Sequence, residues 1–216
     1  MREKQARGEL GSSGLGIDLE EAYLKMAGAL ARAVELRESY AQGHSERVAL
    51  LCTEIAEELG CPKDVTKGIQ VAATLHDIGK IVIPDYILLK PGPLTPAEFN
   101  EIKRHPTAAV QILRNLDHFD QTIILIESHH EWYNGEGYPN KLKGEEIPLG
   151  ARIIAVADAY DAMTSPRPYR QRLTNEEATQ ALKDGSGTQW DPDVVEAFLR
   201  VAERESRILQ TLLVET

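Results

Sequence analysis

Cysteine is scarce: the chain of 216 residues holds two, Cys52 and Cys61. A disulfide scaffold of the kind that staples small secreted domains is thereby excluded, and two buried free thiols are expected. Long apolar runs are missing, since none approaches the ~20 residues of a membrane span. Basic residues are in deficit, with 24 Lys and Arg against 34 Asp and Glu and a net charge of −10. That balance excludes a broad basic surface for a nucleic-acid polymer. An anionic ligand must instead find positive charge locally, from a metal or a few placed arginines. No alternating strand pattern and no internal repeat is visible. No signal peptide is evident either, because residues 1–16 are polar and glycine-rich, which fits a cytoplasmic protein. Gly11-Ser12-Ser13-Gly14 marks residues 1–17 as a linker or cloning remnant, with one domain over 18–216 and an expected signal-input segment, sensory or receiver, upstream.

What is present is helical periodicity, with enough apolar residues for one sizeable core. Asp18 and Glu21 have capping-box spacing and predict a helix to about Arg37, with Tyr23, Ala27, Leu30 and Val34 on its apolar face. Gly43 breaks the pattern and His44 opens a second helix, carrying Val48, Leu51, Ile55 and Leu59 and closed by Gly60. Pro62 suits the first turn of a third, with Val65, Ile69, Ala72 and Leu75 leading to His76. Residues 81–94 are proline-rich and read as an ordered loop. Thr95, Pro96 and Glu98 start another helix, and His105-Pro106 starts the next, with Val110, Leu113 and Leu116. Residues 123–126 lead into His129-His130-Glu131, followed by a turn-rich loop to about Pro148. A very apolar helix spans about 153–163. Thr174 with Glu177, and Asp191-Pro192, open the last two. The fold class is all-α, a bundle of about eight helices.

The chain is organised around Leu75-His76-Asp77-Ile78-Gly79-Lys80. Imidazole nitrogen and carboxylate oxygen both bind first-row transition metals. Adjacent helical residues point about 100° apart, so such a pair suits a site in which the imidazole holds one ion and the carboxylate reaches a second. Lys80 falls on the same side as His76 if the helix continues. The plainer alternative is a helix C-terminus that favours cations and ends at Gly79. Five of the six histidines stand at helix boundaries or beside other ligand types: His44, His76, His105, His129 and His130. His118 reads as a cap or dipole partner. Asp158 sits in an apolar helix, where an ionised carboxylate needs either a metal or a buried arginine. With so many imidazoles elsewhere in the chain, the metal is favoured. His44, His76, Asp77, His105, His129, His130 and Asp158 are too many for one tetrahedral zinc. They suit two octahedral ions that share Asp77 and a water, with iron or manganese favoured because no thiolate is called for.

In order along the chain, these residues resemble the HD-GYP family of cyclic di-GMP phosphodiesterases, a branch of the HD phosphohydrolase superfamily. Gly43-His44-Ser45-Glu46-Arg47-Val48 resembles its first block and Leu75-His76-Asp77-Ile78-Gly79-Lys80 its second. His105-Pro106 is similar to the third, and His129-His130-Glu131 with Gly135-Glu136-Gly137-Tyr138-Pro139 to the signature loop. The stretch from Ala157 to Ser165 with Arg167-Pro168-Tyr169-Arg170 resembles the fifth block, and Gly187-Thr188-Gln189-Trp190-Asp191-Pro192 the late one. The resemblance covers about residues 23–201. It implies an all-α HD-type fold with two divalent metals on the same seven residues, and Tyr138, Arg167 and Arg170 where the family contacts its ligand. Two departures stand out. Tyr40 occupies the place of a glutamate that binds a third metal in some members, so two metals are expected. Trp132-Tyr133-Asn134-Gly135 replaces a loop that usually carries arginine and aspartate-glycine.

The implied reaction is metal-dependent hydrolysis of cyclic di-GMP to linear pGpG, and onward to GMP if a second cut follows. Two metals lower the pKa of a shared water and offset charge on the phosphoryl oxygens. Asp77 and Lys80 are the expected catalytic residues. Lys80 either stabilises charge and donates a proton or makes an ion pair to Asp77. Arg167 and Arg170 either fork onto phosphate or guanine or form surface ion pairs. Tyr138 either stacks on a base or packs under the loop. Competing readings are a hydrolase of another cyclic dinucleotide, such as cyclic GMP-AMP, and a non-catalytic cyclic di-GMP receptor. A homodimer is also expected.

Overall fold

The structure, a computed structural model, describes the backbone of residues 19–38, 42–116, 119–165 and 171–214, and the side chains of those between 25 and 204. Its helices are α1 (Leu19–Glu35), α2 (His44–Glu58), α3 (Lys63–Leu75), α4 (Asp85–Leu88), α5 (Pro96–Ile102), α6 (His105–Leu113), α7 (Asp120–Ser128), α8 (Leu149–Thr164), α9 (Asn175–Asp184) and α10 (Pro192–Val214). Two 3-10 turns, Ile78–Val82 and Gly144–Glu146, punctuate them. No strand occurs among the described residues, so the all-α reading holds. Asp18, one half of the expected first cap, lies outside them.

The core forms where α2 and α3 pack as an antiparallel pair and α8 and α10 close over them. α8 contributes Ile153, Ile154, Val156 and Ala157, each wholly buried, and α2 contributes Val48, Cys52, Ile55 and Ala56. α10 adds Val194, Ala197, Phe198 and Val201. Burying side chains of this size stabilises the fold by about 1.5–3 kcal/mol each, which is how an acidic chain closes around one interior. α5 and α9 begin with reciprocal capping boxes, Thr95 with Glu98 and Thr174 with Glu177, as their spacing predicts. Among the described residues no helix is long and apolar enough to cross a membrane.

Four local expectations are corrected. Ala27, Ala31 and Val34 form the inner face of α1, and Leu30 lies off that stripe and is exposed. Val65 is exposed in the first turn of α3, ahead of the part that packs. α4 is a single turn inside the expected loop; Ile87 and Leu88 bury themselves with Ile83 against Leu94 and Ile102 in a small satellite cluster. Both cysteines are free, but only Cys52 is buried and Cys61 is part exposed.

The helix that carries His76 does not continue to Lys80. It ends at Leu75, Asp77 adopts φ −96° and ψ 2°, and a 3-10 turn follows. Tertiary packing imposes this, because Gly79 is pressed against the start of α6. A Cβ on Gly79 would lie 1.9 Å from the His105 carbonyl oxygen, so no other residue fits there. In a 3-10 turn residues three apart eclipse one another, and Lys80 is thereby aimed at Asp77 rather than at His76.

Candidate metal centre

Four helix ends and the middle of α8 converge on one point. His44 opens α2, His76 and Asp77 follow α3, His105 opens α6, and His129 and His130 follow α7. Asp158 faces them from α8. The seven residues named from the sequence are all brought together.

They fall into two clusters. In the first, His44 Nε2 lies 3.3 Å from His76 Nε2 and 3.3 Å from Asp158 Oδ1. In the second, His105 Nε2 lies 3.4 Å from His129 Nε2, and the His130 ring centre is 4.0 Å from that of His129. Asp77 joins them. Its Oδ2 is 3.4 Å from His76 Nε2, and its Oδ1 is 3.5 Å from His105 Nε2. Ligand atoms of His44, His76 and Asp77 lie within 4.8 Å of one another, as do those of His105, His129 and His130.

The tautomers follow from the partners. His76 Nδ1 donates to the Ala73 carbonyl at 2.7 Å, His105 Nδ1 to Ile102 at 2.8 Å and His129 Nδ1 to Ile126 at 2.6 Å. A carbonyl only accepts, so each Nδ1 carries the proton and a neutral ring turns a bare Nε2 lone pair inwards. In the His105–His129 pair, two lone pairs then face each other with no proton between them. Burial and the neighbouring His130 push His105 down to about 3, burial lowers His130 to about 4, and burial with His130 takes His129 well below its ordinary range. Such a pair calls for a cation or a hydrogen-bond donor, and a transition-metal ion meets both lone pairs at once. The donor set, five imidazoles and two carboxylates, with the outer nitrogens of His44, His76, His105 and His129 already committed, therefore fits two divalent transition-metal ions.

The first cluster has the opposite electrostatics. Burial works against a charged His44, but hydrogen bonds to Asp158 and Asp161 and the charges of Asp158 and Asp77 push it up to about 10. Burial likewise opposes ionised Asp77 and Asp158. Lys80 and the imidazoles nonetheless hold Asp77 well below the usual carboxylate range, and His44 does the same for Asp158. Asp158 is less enclosed than its apolar helix suggests, with a fifth of its side chain exposed.

Lys80 Nζ meets Asp77 Oδ2 at 2.7 Å and Glu38 Oε1 at 3.6 Å. Burial would lower its pKa, yet Asp77 and Glu38 raise it above the ordinary lysine value. The ion pair weighed as the alternative role of Lys80 is thus present. The Tyr138 ring stacks on His130, 4.9 Å between centres. Arg167 and Arg170 lie outside the described residues, as do Tyr40 and His118.

Sequence reasoning missed the residues that hold the ligands. Asp161 accepts from His44 Nδ1 at 2.7 Å and takes a forked pair from Arg47 at 2.5 and 3.0 Å. The arginine partner considered for Asp158 is therefore the one Asp161 has, although Arg47 itself is exposed. The available signal was spacing: Asp161 is three residues after Asp158, and Arg47 three after His44, each on its ligand's helical face. Glu35 accepts from Gly43 N at 2.9 Å and Ser45 N at 2.7 Å, which fixes the start of α2. Arg37 donates to the carbonyls of Lys80 and Ile83, at 2.8 and 2.6 Å, and clips the 3-10 turn to α1. The loop after His130 is pinned by Glu131, which accepts from Asn140 N, and by Tyr133 N and Asn134 N donating to Gln189 and Thr188. Gly137 is obligatory there, since a Cβ would stand 2.1 Å from Trp132 N.

Comparison with known proteins covers the stretch of chain that carries these residues. The family model of the HD domain matches residues 28–194. The cyclic di-GMP phosphodiesterase response regulator RpfG of Xanthomonas campestris pv. campestris is 44% identical over 85% of this chain and 49% of its own length. A cyclic di-GMP phosphodiesterase of Thermotoga maritima is 47% identical over 77% of this chain and 46% of its own. The crystal structure of V-cGAP3, a cyclic GMP-AMP specific phosphodiesterase of Vibrio cholerae, has TM-score 0.67 and 21% identity over 84% of this chain and 49% of that one, a likeness of fold. The chain spans about half the length of the curated relatives it matches.

Proposed function

The chain belongs to the HD-domain family, and from that premise we propose that it is a metal-dependent phosphodiesterase that opens cyclic di-GMP to linear pGpG. The observation that carries the proposal is Asp77, whose two oxygens face two separate imidazole clusters, each with ligand atoms turned inwards. His44, His76 and Asp158 would hold one ion, His105, His129 and His130 the other, and Asp77 both. Iron or manganese suits this nitrogen-rich, thiolate-free set. Bound there, two such ions supply Lewis acidity and a nucleophilic water at neutral pH.

The protein's own part is positioning and charge. The Nδ1 hydrogen bonds lock four of the five imidazoles, those of His44, His76, His105 and His129, before any ligand arrives, so little reorganisation remains to be done. Lys80 keeps a full positive charge beside Asp77, where it can take up charge that develops on a phosphoryl oxygen. Tyr138 presents an aromatic wall next to the second cluster, the surface a purine base would stack on. Arg167 and Arg170 are assigned to the phosphates or guanine edges of the substrate.

The test is to load the purified chain anaerobically with iron or manganese, measure metal by elemental analysis, and follow cyclic di-GMP by product chromatography. Two equivalents of metal and accumulation of pGpG are expected. Cyclic GMP-AMP belongs in the same assay, because a phosphate site and an aromatic wall do not by themselves tell guanine from adenine. Full metal uptake with every cyclic dinucleotide left intact would overturn the hydrolase reading and leave a receptor.

A further inference from the structure

Around the centre, cations are committed to carboxylates. Lys80 pairs with Asp77, Arg47 with Asp161, Arg104 with Glu101 and Lys90 with Glu98. Lys103 is different. It caps the end of α5, two residues before His105, and its ammonium rests on aromatic faces, 4.7 Å from the Phe99 ring centre and 5.4 Å from that of Tyr138. Among the described residues no carboxylate lies within ion-pair distance of it. It is half-buried, so its charge is neither neutralised nor lost in bulk water.

Tyr138 links this cation to the metal centre, since the same ring stacks on His130. The backbone on either side is fixed: Lys103 N donates to the Phe99 carbonyl, and His105 Nδ1 donates to Ile102. An aromatic seat holds an ammonium weakly when water can reach it, and a phosphate competes for the ammonium well. A cyclic dinucleotide carries two phosphodiesters, and one metal centre engages one of them. In a protein of net charge −10 the other needs a cation placed near the centre but outside it.

We propose that Lys103 is a substrate-binding residue whose ammonium takes the phosphate held outside the metal centre. The assignment rests on the reading of the site as a cyclic-dinucleotide phosphodiesterase. Lys103→Met keeps the stem and removes the charge. In metal-loaded protein it raises KM for cyclic di-GMP about tenfold, the loss of one charge-assisted hydrogen bond, with kcat within about twofold. Lys103→Arg restores most of the lost affinity. Metal content and turnover of bis(4-nitrophenyl) phosphate, which has a single phosphate, stay at wild-type levels in both variants.

A second measurement separates this proposal from the one it rests on. The dissociation constant of a non-hydrolysable phosphorothioate analogue of cyclic di-GMP rises about tenfold in Lys103→Met. Equal constants for wild type and variant overturn the role of Lys103 whether or not the enzyme turns over. A joint fall in metal content and bis(4-nitrophenyl) phosphate turnover also overturns it, and makes Lys103 a structural cap ahead of His105. Wild-type protein that binds metal and hydrolyses no cyclic dinucleotide overturns the hydrolase reading instead.

Discussion

His44, His76 and Asp158 stand in a half of the centre where imidazoles face carboxylates; His105, His129 and His130 stand in a half with no carboxylate of its own. In the first, acidic neighbours push His44 up to about 10. In the second, burial and crowded imidazoles take His105 down to about 3 and His130 to about 4. The halves also differ in how they are held. His105 and His129 each donate Nδ1–H to a carbonyl three residues back, at the end of the preceding helix, as His76 does. Those are carbonyls a helix leaves without intrahelical partners. His44 opens a helix, has no such carbonyl behind it, and relies on Asp161, 117 residues away. The second half therefore rests on local turns at His105 and His129, whereas the first combines a local bond at His76 with long-range support for His44 from α8.

Asp77 is where this comparison can be broken most severely, because it belongs to both halves. Asp77→Ala is expected to abolish hydrolysis and to lower bound metal from two equivalents towards zero by elemental analysis. Two retained equivalents would show that the halves are independent sites and that Asp77 bridges nothing.

The next largest effect sharpens the contrast in support. Asp161→Asn removes the charge behind His44 and touches no histidine of the second half. Outer partners of metal-binding histidines typically change affinity about 10–100-fold. A chelator titration should show one of two metals weakened by that range and the other unchanged. Equal weakening of both would mean that Asp161 matters only for packing, through its pair with Arg47.

Much of this was legible from the residues, for a reason the hydrogen bonds supply. A histidine at a helix end was read either as a cap or as a ligand, and His76 and His129 are placed to be both. Nδ1 serves the helix carbonyl and Nε2 faces the cluster, so the two readings were never exclusive. Patterns confined to one helix, such as the Thr95–Glu98 box, were visible for the same local reason. What was not legible depended on distant contact. The helix after His76 stops because Gly79 meets the His105 carbonyl, 26 residues on. Leu30 is exposed because the face of α1 that is buried is chosen by α2 and α3, which pack against it. Asp161 earned no role because its partners, His44 and Arg47, come from another helix.

A milder test addresses Glu35 at the end of α1, whose hydrogen bonds go to the start of α2 in the first half. Glu35 accepts from two amides at the start of α2. Glu35→Gln turns one acceptor into a donor facing an amide hydrogen, a loss of about 1.5 kcal/mol. For a chain of this size that lowers Tm by roughly 3–6 °C in calorimetry. If the comparison is sound, the affinity loss that accompanies it falls on the same metal that Asp161→Asn weakens. Loss at the other metal would place α1 behind both halves.

The smallest expected effect lies on the helix that leads into His105. Glu98 accepts from Lys90 at 2.6 Å and from Thr95 N at 2.7 Å, and these bonds hold its carboxyl down at about 2. A depressed carboxyl contributes stability that is fully present above its ordinary value near 4.5 and is lost as pH falls through about 2. Buried imidazoles of the second half gain protons in the same acid window, so the metal-free wild type alone cannot isolate the Glu98 contribution. The difference between wild type and Glu98→Gln can. Above pH 5 the variant should melt slightly lower, and the gap should close between about pH 4.5 and 2 as the wild-type carboxylate is protonated. A gap that stays constant with pH would mean that the cap acts through hydrogen-bond geometry and not through charge, and that the local scaffold of the second half is electrostatically neutral at its root as well as at its ligands.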